Sequence, residues 1–267
     1  MCYSAEAATR KLIKYALHRG DTEYAKALEQ YLIEISKDKT PKFFVSGFAH
    51  PELLVFTNEE PMKPQYFTWG LIPSWVKDWE GAKKQRRNTL NARVETMFEK
   101  PSFKDSAFNR RCLVYFDAFY EYHTFNKKKY PIRVSMREDI PMVMGGIWNS
   151  WVDKATGEIH NTVAVCTTDA NALMEKVHNE PAASDTPRMP VIISKEDQDK
   201  WLIKIRTKKD GYTEADTQAD VEFIKSIAAP YDGDKMQAWT VAPLIGKKGL
   251  GNAPEARLEY KYEELIF

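Results

Sequence analysis

The 267-residue chain has little cysteine: Cys2, Cys112 and Cys166, an odd and widely spaced set. Such a set argues against a disulfide framework and for a reducing compartment. No Cys-x-x-Cys and no paired-histidine spacing suggests zinc, so no metal is expected. No apolar run is long enough to span a membrane. The N-terminus lacks the basic flank, apolar stretch and cleavage site of a secretory signal. Gly-x-Gly-x-x-Gly, phosphate-loop and Gly-x-Ser-x-Gly patterns are missing, which disfavours nucleotide-binding and serine-hydrolase readings. No Gly/Ser/Pro linker or internal repeat divides the chain. One cytoplasmic domain over residues 1–267, without cofactor, is expected.

What is present reads as an ordinary globular protein: 43% hydrophobic and 29% charged residues, enough to bury a full core. A net charge of +1 does not by itself predict a nucleic-acid partner. The basic residues are clumped, however: Lys83, Lys84, Arg86 and Arg87; Arg110 and Arg111; Lys127 to Lys129; and Lys204 to Lys209 with Arg206. Each clump alone reads as a solvated face. Several on one face would make a phosphate track.

Residues 5–37 read as two helices. Ser4 caps the first, with Ala8, Leu12 and Ala16 at helical spacing. Gly20 breaks it, and Asp21 or Thr22 caps a second helix carrying Leu28, Tyr31, Leu32 and Ile35. Short apolar runs follow, among them "ELLVF", "QYFTWGLI", "RCLVYFDAFYEY", "YPIRVS", "PMVMGGIW" and "TVAVCTT". Bounded by Pro, Gly, Asn and Lys, they read as strands of an antiparallel sheet or barrel. Helical pattern returns at "DANALMEKVH", 195–206 and 214–228, and "MPVII" and "MQAWTVA" read as further strands. Helices flank strands rather than alternate with them, so the class is α+β: a mostly antiparallel sheet or barrel core flanked by helices.

Four stretches could carry chemistry. "FTWGLIPSW" sets Trp69 and Trp75 around Gly and Pro. "LNARVETMFEKPSF" sets Asn91 and Arg93 on a loop before a short helix. "YFDAFYEYH" sets Glu121 among aromatics, and "LMEKVHNEPAASDTPRMPVII" sets His178 at a helix end and Arg188 before a strand. Singly, each has a plain reading. The tryptophans suit a core, Asn91 a turn, Glu121 an alternating strand's solvent face, and His178 a helix dipole.

With "MCYSAEA" at the start, the combination resembles the SOS response-associated peptidase (SRAP) family, the abasic-site processing proteins. The motifs stand in that family's order: Met1–Cys2, Trp69–Gly70 with Pro73 and Trp75, Asn91–Thr96, Phe119–Tyr122, His178, and Arg188–Pro190. Three features depart from it. Tyr3–Ser4 replace Gly-Arg, Tyr122 stands where tryptophan is common, and residues 179–187 form an insertion between His178 and Arg188.

The resemblance implies an SRAP-like fold and, as partner, single-stranded DNA bearing abasic sites, whose opened sugar exposes an aldehyde. Once Met1 is removed, Cys2 carries a free α-amine of pKa about 7.7–8.0 and a thiol of about 8.5, able to form an imine and then close a thiazolidine. An internal cysteine, its nitrogen already an amide, cannot do this. The resemblance implies proton transfer by Glu121 and His178 and orientation by Asn91. It implies phosphate contacts from Arg93, Arg188 and Thr167, and stacking or wedging by Trp69, Trp75 and Tyr122. It also implies weak lyase activity and removal of Met1, by the protein itself or by a host aminopeptidase, and a monomer with a nucleoid-associated location at damaged DNA is expected. Two rivals share parts of this pattern. A Cys-type N-terminal-nucleophile amidohydrolase uses the thiol on an amide. A non-catalytic single-strand DNA-binding module leaves Cys2 incidental.

Overall fold

The computed structural model describes residues 3–7, 22–36, 41–180 and 186–265. The chain opens on strand β1 (Ser4–Ala7), helix α1 (Thr22–Ser36) and strands β2 (Val45–Ser46), β3 (Glu52–Thr57) and β4 (Gln65–Trp69). Helix α2 (Trp79–Arg86), strand β5 (Asn91–Arg93) and helix α3 (Lys104–Asn109) follow. Four long strands come next: β6 (Arg111–Phe125), β7 (Lys128–Met136), β8 (Met142–Val152) and β9 (Ile159–Asp169). Helix α4 (Ala172–Val177), strand β10 (Arg188–Pro190), helices α5 (Gln198–Leu202) and α6 (Glu214–Ile227), and strand β11 (Met236–Thr240) complete the order.

Strand β6 organises the fold. Its first half pairs with β3 and β8, and β8–β9, β9–β4 and β4–β3 close the ring. A closed ring leaves no barrel edge for another chain to pair with. The second half of β6 runs beyond the ring and pairs with β1 on one side and β7 on the other, and β7 pairs with β11. Most pairs are antiparallel. β4 and β5 are the exceptions, both running parallel to β9, one beyond the other. The β6–β7 hairpin turns on Asn126 and Lys127, both at positive φ, the type I′ geometry whose twist suits a two-residue hairpin.

Side-chain alternation builds two cores. Leu53, Val55, Phe67, Trp69, Cys112, Val114, Val163 and Val165 share the interior cluster. Leu54, Phe56, Leu113, Tyr115, Ala164 and Cys166 face the other way, under Leu28 and Leu32 of α1, Trp201 of α5 and Ile224 of α6. Gly145 makes room for that cover, since a Cβ there would lie 2.8 Å from the Trp201 ring.

The α+β class with an antiparallel barrel core matches the sequence reading, and two local expectations change. Residues Ser4–Ala7 are a strand, not the start of a helix, because Ser4 pairs with both Ser46 and Tyr120. The first expected helix otherwise lies outside the described residues, while the second forms as α1. Asn91–Arg93 is not a loop, because it has β9 to pair with.

Candidate active site

The second half of β6 presents Glu121. Its side chain is buried at 6% exposure, and burial pushes its carboxyl up to about 7, against the backbone N–H of Tyr122 and the Lys129 charge, which favour ionisation. The hydroxyl of neighbouring Tyr122 is buried and has no hydrogen-bond partner among the described residues. Burial and the Glu121 charge both raise its pKa.

β1 brings the chain's start to this half-strand. Ser4 pairs with Tyr120 and Ala5 with Phe119, while Tyr3 accepts a 2.7 Å hydrogen bond from Gly47 N and packs its ring 5.0 Å from Phe48. Cys2 lies outside the described residues. An ion pair anchors β1: Glu6 meets Arg133 of β7 at 2.6 Å, with both side chains buried. The Arg133 guanidinium rests 5.0 Å from the Trp239 ring, and Arg257 approaches Glu6 at 3.8 Å.

His178 ends α4. Asn171 caps that helix by accepting from Met174 N at 2.9 Å, and His178 N donates to Met174 O at 2.8 Å. Met174 and Val177 pack into the interior cluster with Phe116 and Phe119, which lays α4 against β6. The residues on either side of His178 bond to β6 as well. Asn179 bonds both backbone groups of Thr124 at 2.8 Å, and His123 Nδ1 lies 2.8 Å from Lys176 O. Residues 181–185 of the expected insertion lie outside the described residues.

A second grouping sits where β5, β9 and β10 meet. Ala92 belongs to the helix-covered core, so alternation turns Asn91 and Arg93 to the interior face, as Val163 and Val165 do for Thr167. Arg93 pairs with Thr167, as does Pro190. The Thr167 hydroxyl is fully buried and has no partner among the described residues. Buried polar groups without partners are few in folded proteins, and one that opens towards a site is a candidate ligand contact.

Arg188 stands apart from the role expected of it. Its side chain is 4% exposed, pairs with Glu95 at 2.7 Å and Asp169 at 3.1 Å, and donates to Thr167 O at 2.9 Å. It braces the strands under Thr167; a phosphate would have to displace two carboxylates. Trp69 is also internal. With 0% exposure and its Nε1 donating to Leu90 O at 2.8 Å, it offers no face for a base. Gly70 beside it has φ +115°, and a Cβ there would lie 2.9 Å from Arg86 O, so the Trp-Gly pair serves packing. Trp75, by contrast, is 55% exposed.

The basic clumps separate likewise. Arg111 is buried and donates to the carbonyls of Ala107, Trp201 and Ile203. Lys204, Arg206 and Lys208 pair with Asp210, Asp220 and Glu214. Lys83, Lys84 and Arg87 instead line a concave surface with Glu80, Asn88 and half-exposed Phe48, whose ring touches Tyr3; Lys83 is itself paired with Glu80 at 2.7 Å. Sequence reasoning missed Phe48, and it missed the packing of Trp79 on His160, 4.6 Å apart, because only the fold brings those elements together. Among the described residues no helix is long and apolar enough to cross a membrane, and no acidic, histidine or cysteine group could hold a metal.

Comparison with known proteins agrees with the fold. The chain is 29% identical over 244 residues to the abasic site processing protein YoqW of Bacillus subtilis (strain 168), covering 88% of this chain and 94% of that one. It is 31% identical over 153 residues to the abasic site processing protein HMCES of Xenopus tropicalis, covering 50% and 43%. A crystal structure of a Bacteroides thetaiotaomicron protein superposes with a TM-score of 0.76 at 30% identity, over 97% of this chain and all of that one. The family described as SOS response associated peptidase (SRAP) matches residues 13–248. The chain therefore belongs to the SRAP family.

Proposed function

We propose that the protein processes abasic sites in single-stranded DNA by forming a covalent adduct through Cys2 after Met1 is removed. The observation that carries this reading is the buried Glu121 carboxyl, poised near neutral pH beside the strand that leads to the N-terminus. A group with pKa near the working pH can both take and return a proton. The Cys2 amine attacks the sugar aldehyde, and the resulting carbinolamine loses water to give an imine. Glu121 takes a proton from the nitrogen and returns one to the departing hydroxyl. The thiol then adds to the imine carbon, its proton passes to nitrogen, and the five-membered thiazolidine is complete. One water leaves and no redox partner is needed.

His178 serves the sugar oxygen during ring opening and reversal. Asn91 orients the amine or sugar. Arg93 and the Thr167 hydroxyl take up phosphate or sugar oxygens, with Arg188 holding the Thr167 strand in place. Phe48 and Trp75 offer stacking faces, and Lys83, Lys84 and Arg87 a phosphate track. Tyr122 closes the site beside Glu121. The imine also permits β-elimination, hence weak lyase activity, and self-removal of Met1 is the peptidase-like step. We assign the protein a monomeric state in the cytoplasm, at damaged DNA.

The test is intact mass spectrometry of the purified protein with and without an oligonucleotide carrying one abasic site. Loss of Met1 and a denaturation-stable adduct are expected, with the adduct abolished by Cys2→Ala. Unchanged adduct yield in that variant refutes the mechanism. DNA binding without any adduct in the parent protein favours a non-catalytic binding module.

A further inference from the structure

We propose that Asn179 and His123 are positioning residues that hold His178 in working register with Glu121. The inference rests on the acid–base roles proposed for that pair. Asn179 Oδ1 accepts from Thr124 N and Asn179 Nδ2 donates to Thr124 O, both at 2.8 Å. The side-chain amide thus imitates a neighbouring strand at a point on β6 past the last β1 pairing, Ser4 with Tyr120. An open strand edge needs a partner there, and the amide supplies both halves of one.

His123 makes the second tie. Its Nδ1 lies 2.8 Å from Lys176 O, one of the carbonyls that a helix C-terminus leaves without an intrahelical donor. A carbonyl only accepts, so this nitrogen carries the hydrogen. The ties fall on consecutive β6 residues, 123 and 124, and on residues 176 and 179, which flank His178. Glu121 is two residues before His123 on the same strand. After His178 the next strand among the described residues starts at Arg188, ten residues further on, so covalent connection alone does not fix the imidazole. The side-chain ties do.

The test combines single-turnover adduct formation at saturating abasic DNA with NMR of the His178 imidazole, in the full chain. Asn179→Ala is expected to slow adduct formation about 10-fold, with DNA affinity within about 2-fold of the parent. The same change in a His178→Ala background should add nothing further. The His178 imidazole resonances should shift and broaden in Asn179→Ala and in His123→Ala. Asn179→Asp, which keeps the acceptor but loses the donor, should fall between, and it stands in should the alanine variant fail to fold. An unaltered rate with unaltered His178 resonances overturns the inference, as does an equal slowing in the His178→Ala background. If the parent protein forms no adduct, the functional reading fails, and the ties are judged by the imidazole resonances alone.

Discussion

Replacing Glu121 with Gln should make the protein more stable at alkaline pH and change little at acid pH. The carboxyl stands at about 7 in the fold, against 4.5 as its ordinary value, and burial is the main cause. At pH 4 both folded and unfolded forms are mostly protonated, and the stabilisation is present in full. As pH rises above 4.5, the unfolded chain gives up its proton first, and unfolding gains. Above pH 7 the folded carboxylate is charged as well, and the stabilisation is gone. Between pH 5 and pH 8 the loss is about 2–3 kcal/mol, at roughly 1.4 kcal/mol per tenfold change in proton affinity. For a chain of this size that is about 4–5 °C in midpoint. Glutamine keeps the shape and cannot ionise, so its advantage over the parent should grow by that amount across the interval. Urea melts of both proteins at pH 5, 6, 7 and 8 measure it. A gap that stays constant with pH, or closes as pH rises, would show that Glu121 is not a buried titrating group, and the proton role assigned to it would fail.

The other predictions concern the anchor and the phosphate track. Glu6→Gln leaves the Arg133 charge buried without its closest partner, and should cost about 3–5 kcal/mol in a denaturant melt; a loss below about 1 kcal/mol would mean that Arg257, Trp239 and water hold that end of β1 instead. Replacing Lys83, Lys84 and Arg87 with Gln together should weaken single-stranded DNA binding and lower the log–log salt slope by about 2, given roughly 0.7 counterion per phosphate contact. A parallel loss of affinity at every salt concentration would instead indicate a lost stacking or shape contact.

The long strands were legible because each is a long apolar run, buried along most of its length and bounded by turn residues, and the hydrophobic pattern alone places them. β1 and β5 were not. Four residues at β1 and three at β5 are too few to show a period, and what fixes them is pairing with β6 and β9 far along the chain. Ser4 carries the local signal of a helix cap, and the sheet overrides it. At the site, the sequence shows which residue types are present but not how deeply they lie. Trp69 and Trp75 read alike as letters, yet one has no exposed surface and the other is more than half exposed. The neutral surroundings of Arg188 come from Glu95, 93 residues away, and Asp169, 19 away. The same holds for Glu121. Alternation alone allows a solvent-facing carboxylate, and only the fold shows it buried.

Strand β6 belongs to two bodies at once. Its first half is a stave of the closed barrel, and its second half projects beyond it to carry Glu121. β1 is not part of the ring, so the ring closes without it. The ordering of the chain's start against the Glu121 half of β6 is therefore a matter apart from closure of the barrel, set by the pairing of β1 and by the Glu6–Arg133 ion pair.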